Sequence, residues 1–153
     1  MALNGTSREV PAMRISPVVA FANQKGGVGK TTSTVNAAVS LARRGYRTLL
    51  IDTDPQGNAT SSLGIDKLAV RASIYEVLVE ELPVADAAMP SARPNLDLVA
   101  STPMLAGAEI ELVEAPHRET RLRAALKPAL SRYDIVLIDC PPSLGLLTVN
   151  ALT

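Results

Sequence analysis

The sequence predicts an α/β fold: a doubly wound, mostly parallel sheet with helices on both faces. Two observations carry this prediction. Short apolar runs of strand length alternate with segments whose apolar residues recur at helical spacing. The residues with unusual chemistry follow directly on those runs, where open parallel sheets bind their ligands. With 153 residues, 47% of them hydrophobic but only 3% aromatic, the chain has the length of one domain with an aliphatic core.

Each element has its own local signature. Residues 1–13, MALNGTSREVPAM, are polar and aperiodic and are expected to form a flexible tail, with Met13 as a second candidate start. Residues 15–23, ISPVVAFAN, have the composition of a buried strand. In residues 30–45, Val35, Ala38, Val39 and Ala42 mark one face of a helix, and Gly45 closes it. Residues 46–54, YRTLLIDTD, form a second strand, completing a βαβ unit. Residues 55–64, PQGNATSSLG, are expected to be a loop. Ser73 followed by Glu76 forms a capping box for a helix over 73–82. A short strand is expected over 95–102, then helices over 103–114 and 119–130, broken at APHR. Residues 133–143, YDIVLIDCPPS, contain a third strongly apolar strand that ends in Asp139, and a last helix starts after it. There is no internal repeat and no low-complexity segment.

Composition excludes several classes of function. Fifteen basic residues balance fifteen acidic ones, so no net field draws the chain to nucleic acid. A single cysteine, Cys140, excludes an internal disulfide framework, fits a reducing cytoplasm and is expected to pack as a small apolar side chain. No apolar run reaches the roughly 18 residues of a membrane span, so no membrane partner is expected. His117 is read as a solvated residue at a helix start, and Arg43, Arg44 and Arg47 as charges that offset a helix dipole.

The chemistry is concentrated in Lys25-Gly26-Gly27-Val28-Gly29-Lys30-Thr31-Thr32, between the first strand and the first helix. Glycines let the backbone curl so that its N–H groups converge on phosphate oxygens, and the helix adds its positive N-terminus. Lys30 would reach the β- and γ-phosphates, and the Thr31 hydroxyl would ligate Mg²⁺. The ordinary G-x-x-x-x-G-K-[ST] loop has glycine where Gln24 stands here, and Lys25 follows it. A second ammonium beside Lys30 is repulsive unless a strong anion lies between them. Lys25 is therefore expected to point at phosphate, its own or one bound by another subunit.

QKGGVGKTT resembles the deviant Walker A loop of the ParA/Soj chromosome- and plasmid-partitioning ATPases, within the wider MinD-like group. LLIDTDPQGNATSSLG resembles that family's switch I region, ASTPMLAGAEIEL another of its segments, and DIVLIDCPPS its Walker B strand and switch II. The resemblance runs from about Arg14 onward, which makes residues 14–153 a P-loop ATPase domain. It implies ATP and Mg²⁺ as cofactors, with Lys25, Lys30 and Asp54 as catalytic residues. Lys25 would contact phosphates across a nucleotide-sandwich homodimer. Asp54 would orient or deprotonate the attacking water. Asp139 would hold Mg²⁺ through a coordinated water, and Asp52 would lie near the ion's water shell. The implied partners are a ParB-like centromere-binding protein and nonspecific DNA, and the implied location is the cytoplasm, at the nucleoid.

Family chains continue beyond this one, so the domain is expected to be incomplete at its C-terminus, without the later strands. Two other readings remain open: a MinD-like or other regulatory ATPase of the same group, and an inert fragment that does not hydrolyse. A nitrogenase iron protein is excluded, because its cluster needs paired cysteines.

Overall fold

The computed structural model describes residues 16–153; the expected tail, Met13 and the first residue of the expected first strand lie outside the described residues. Strands β1 (Val18–Phe21), β2 (Thr48–Asp52), β3 (Met89–Pro90), β4 (Leu96–Val99) and β5 (Ile135–Asp139) form one sheet in the order β1-β5-β2-β4-β3. All neighbours are parallel except β3, which runs antiparallel to β4 at one edge. The helices are α1 (Lys30–Arg43), α2 (Asn58–Ser62), α3 (Ile74–Val79), α4 (Val84–Ala87), α5 (Leu105–Leu112), α6 (Arg121–Leu126) and α7 (Leu146–Leu152). The mostly parallel α/β sheet expected from the sequence is the observed one.

Strand periodicity distributes the core over both faces of the sheet. Leu49 and Ile51 of β2, with Val136 and Ile138 of β5, point into a cluster completed by Ile74, Leu78, Leu105, Leu112, Leu122 and Leu147 of the helices. Leu50 and Leu137 point the other way, against Ala38 and Ala42 of α1, Ala59 of α2 and Leu63 directly after it. Every residue of β2 is buried, as expected of a central strand covered on both faces.

Helix ends follow their local chemistry. Gly45 adopts φ 91° after α1. Its N–H donates to Ala42 O at 3.0 Å and that of Tyr46 to Leu41 O at 3.2 Å, the paired bonds of a Schellman ending. Ser73 and Glu76 form the expected capping box on α3. The helix expected over 119–130 divides: α6 stops at Leu126 and a 3-10 turn covers Lys127–Arg132. Pro128 has no N–H for the α-helical ladder, which accounts for the change of pitch.

One expectation needs correction, and one stretch without an expectation gains structure. Residues 55–64 are not all loop, since α2 lies within them. The stretch after α3 contains α4 and β3, which the periodicity did not reveal. Among the described residues β1 pairs on one side only, with β5, and Val18 and Val19 are 43% and 41% exposed. No helix of the described residues is long and apolar enough to cross a membrane.

Cys140 is buried directly after β5, and desolvation pushes its thiol up to about 11. The thiolate is the reactive form, so burial removes both access and nucleophile. At pH 8 the folded protein should not react with a disulfide reagent over minutes, and one thiol should appear on denaturation. Fast colour development in the native state would contradict the packing described.

Candidate functional site

β1, β5 and β2 end side by side, with Phe21 and Asp52 each in register with Asp139. The glycine loop leaves β1 at this edge and enters α1. Gly27 and Gly29 sit at φ 71° and 86°, a region that a Cβ disfavours. Gly29 caps α1 without any side-chain hydrogen bond, so the first-turn N–H groups of α1 have no capping side chain. Backbone donors and a helix N-terminus thus meet at the mouth of a loop with two lysines.

The loop holds itself through its own atoms. Lys25 N–H donates to Asn23 Oδ1 at 2.9 Å, and Lys30 Nζ lies 3.4 Å from Lys25 O. Lys25 is exposed and Lys30 partly so; Gly26, Val28 and Thr32 are also exposed.

Thr31 is tied to the neighbouring strand. Its hydroxyl donates to Asp139 Oδ2 at 2.7 Å, while the Thr34 hydroxyl lies 3.2 Å from Oδ1 and 2.8 Å from Lys30 O. Thr31 and Thr34 are one helical turn apart, so they share a face. Burial pushes the Asp139 carboxyl above the usual range; the bonds from Thr31 and Thr34 oppose this, the Asp54 charge adds to it, and Lys30 offsets it.

Asp52 is fully buried, and protein groups satisfy both its oxygens. Oδ2 accepts from Thr60 N–H and from the Thr60 hydroxyl, both at 2.8 Å, and Oδ1 accepts from Asp54 N–H at 3.2 Å. Desolvation raises its carboxyl to about 6, against the bonds from Thr60 and Asp54, and Asp139 adds repulsion. Thr60 lies in the first turn of α2, so Asp52 caps that helix from a neighbouring strand. Asp54 Oδ1 accepts from Gln56 N–H at 2.9 Å, and its carbonyl accepts from Gly57 N–H at 2.8 Å, a tight turn around the carboxylate.

The donor set suits a small hard cation. Thr31 and Asp139 supply adjacent oxygens of the kind Mg²⁺ prefers. Among the described residues no three His, Cys, Asp or Glu side chains cluster to hold a metal. The remaining ligands would have to be water and phosphate oxygens, the usual arrangement for Mg²⁺ at a nucleotide.

The structure therefore brings Lys30, Thr31, Asp52, Asp54 and Asp139 to one end of the sheet, with Lys25 on the loop above. Sequence reasoning missed Thr34, Thr60 and Ser101, whose hydroxyls bond to this group. Thr34 could have been found from its spacing to Thr31. Four other residues lie elsewhere: His117 is exposed with φ 55°, Arg43 and Arg44 are exposed at the end of α1, and Arg47 pairs with Asp134 at 2.9 Å.

Fold and loop together define a P-loop nucleotide-binding domain. The AAA domain family model AAA_31 matches residues 16–153, and the chain belongs to that family. Its homologues there are Soj and ParA proteins. It is 54% identical over 136 residues to the sporulation initiation inhibitor protein Soj of Bacillus subtilis, covering 89% of this chain and 54% of Soj. It is 51% identical over 138 residues to the chromosome partitioning protein ParA of Myxococcus xanthus, covering 90% of this chain and 49% of ParA. Among solved structures, cobyrinic acid a,c-diamide synthase from Mycobacterium smegmatis, with bound ATP analogue and magnesium, superposes with a TM-score of 0.86 at 42% identity. That match covers 90% of this chain and 56% of the synthase. The chain spans about half the length of the curated relatives it matches.

Proposed function

We propose that this chain is the phosphate-handling part of a Soj/ParA-type partitioning ATPase that binds ATP with Mg²⁺ and hydrolyses it to ADP and phosphate. The observation that carries the reading is the Thr31–Asp139 contact at 2.7 Å, beneath a glycine loop with lysines at both ends. The loop N–H groups and Lys30 would hold the β- and γ-phosphates. Thr31, and Asp139 through water, would hold Mg²⁺, which would draw charge from the phosphate oxygens. Asp52 would act from behind, keeping the turn that carries Asp54 in place. Asp54 would orient the attacking water.

Lys25 makes the reading specific. Its ammonium would reach the phosphates of a second copy, so that ATP drives dimerisation, and the dimer would bind DNA nonspecifically at the nucleoid. A ParB-like partner would stimulate hydrolysis. In the full-length protein, Lys25→Ala should leave the affinity of dilute monomer for ATP within about threefold, while ATP-dependent dimerisation and hydrolysis are both lost. ATP titration below the dimerisation threshold, with light scattering alongside, checks this. If monomer affinity falls as well, Lys25 serves its own nucleotide and the cross-dimer role is withdrawn.

The likeness to the Mycobacterium synthase favours a second reading, in which the same half binds ATP for a biosynthetic reaction. Stimulation of hydrolysis by DNA and a ParB-like protein separates the two, since a synthase has no reason to respond to either.

A further inference from the structure

Ser101, two residues after the end of β4, is fully buried and lies in none of the motifs that handle phosphate. Its hydroxyl donates to Asp54 O at 2.6 Å, and its N–H donates to Thr60 Oγ1 at 3.0 Å. The Thr60 hydroxyl donates onward to Asp52 Oδ2 at 2.8 Å. One residue beyond the end of β4 thus reaches both Asp52, the last residue of β2, and Asp54 just after it, the second directly and the first through Thr60. Among the described residues the carboxylate of Asp54 accepts from Gln56 alone, within its own turn, so its direction depends on where the backbone at residue 54 is held. That backbone is held by Ser101.

The outer side of the turn is fastened as well. Lys67 Nζ donates to Gln56 O, and a Cβ on Gly57 would stand 3.1 Å from Ser101 O and closer still to the Lys67 side chain. The backbone of the turn is therefore clamped between Ser101 and Lys67, with glycine at the one position where both close in.

We propose that Ser101 and Thr60 are positioning residues for hydrolysis: they lock the turn so that the Asp54 carboxylate faces the attacking water. The proposal rests on the reading of Asp54 as the water-orienting group. Misplacing a positioned group by about 1 Å can cost roughly 10²-fold, so losing one anchor should be read in turnover and not in binding.

The test compares Ser101→Ala, Thr60→Val and the conservative Thr60→Ser in the full-length protein, each alone, and Ser101→Ala also in an Asp54→Ala background. Affinity for a fluorescent ATP analogue with Mg²⁺ reports that each variant is folded. Ser101→Ala and Thr60→Val should lower kcat by about 10- to 100-fold, with KM for ATP changed by less than about threefold. Thr60→Ser, which keeps the hydroxyl, should stay close to the parent. In the Asp54→Ala background, Ser101→Ala should lower the rate no further, since a positioning residue has nothing left to position. A parental rate in Ser101→Ala, or a further additive loss beside Asp54→Ala, overturns the proposal. If Ser101→Ala does not fold, the Thr60 pair decides: equal loss in Thr60→Val and Thr60→Ser overturns it. A parental rate in Asp54→Ala itself overturns the underlying reading of Asp54 and this proposal with it, while leaving the other arms to report on nucleotide binding.

Discussion

Lys30→Ala should bind ATP·Mg²⁺ at least tenfold more weakly, and up to roughly a hundredfold, since a charge-assisted contact is worth about 1.5–3 kcal/mol. The upper end is expected, because one ammonium balances two phosphate groups. The fold should hardly notice the change. Among the described residues Lys30 Nζ makes one long hydrogen bond, 3.4 Å to Lys25 O, and the side chain is partly exposed. Its loss falls among surface substitutions worth within about 0.5 kcal/mol. Isothermal titration and thermal melting of the same sample check both halves of the claim. Unchanged affinity would remove the assignment of this loop as a phosphate cradle.

Asp54→Ala should do the opposite: bind ATP as the parent does, yet hydrolyse it about 10²- to 10⁴-fold more slowly, the usual range for a general base. The main-chain bonds of the turn survive the change, because Ser101 and Gly57 both donate to the carbonyl of residue 54 and not to its side chain. Only the bond from Gln56 N–H to Oδ1 is lost. Phosphate release in a single turnover of the full-length protein is the measurement. A parental rate would move the water-orienting role to another group.

Much of this was legible in the sequence because the signals were local. Runs such as TLLID and IVLID can hardly be anything but buried strands, and a glycine loop entering a helix at Lys30 has few structural alternatives. What escaped notice depends on contacts between segments distant in the chain. Helix α2 has no capping side chain of its own, because its cap is Asp52 on β2. Read as a sequence, PQGNATSS shows only turn formers. Strand β3 has two residues, too few for any period, and its Pro90 is tolerated because the strand lies at an edge. Ser101 and Thr60 stand far apart in the chain, in two separate segments, so only folding reveals that they bond to each other and to the aspartates. Thr34 differs: its place one turn after Thr31 was readable, and only its partner, Asp139, had to come from the fold.

The position of β5 decides when the site can exist. It is the strand between β1 and β2, yet it is made after both, and its pairing with β1 joins residues more than a hundred positions apart. Until residues 135–139 leave the ribosome, β1 has no neighbour, and the loop that follows it has no Asp139 for Thr31 to meet. Contacts between such distant residues are slow to form, because the closure of the intervening chain precedes any gain from pairing. Nascent chains shorter than this should therefore carry the whole glycine motif and still fail to capture nucleotide. The capacity to bind phosphate should switch on in one step, as β5 slides between β1 and β2.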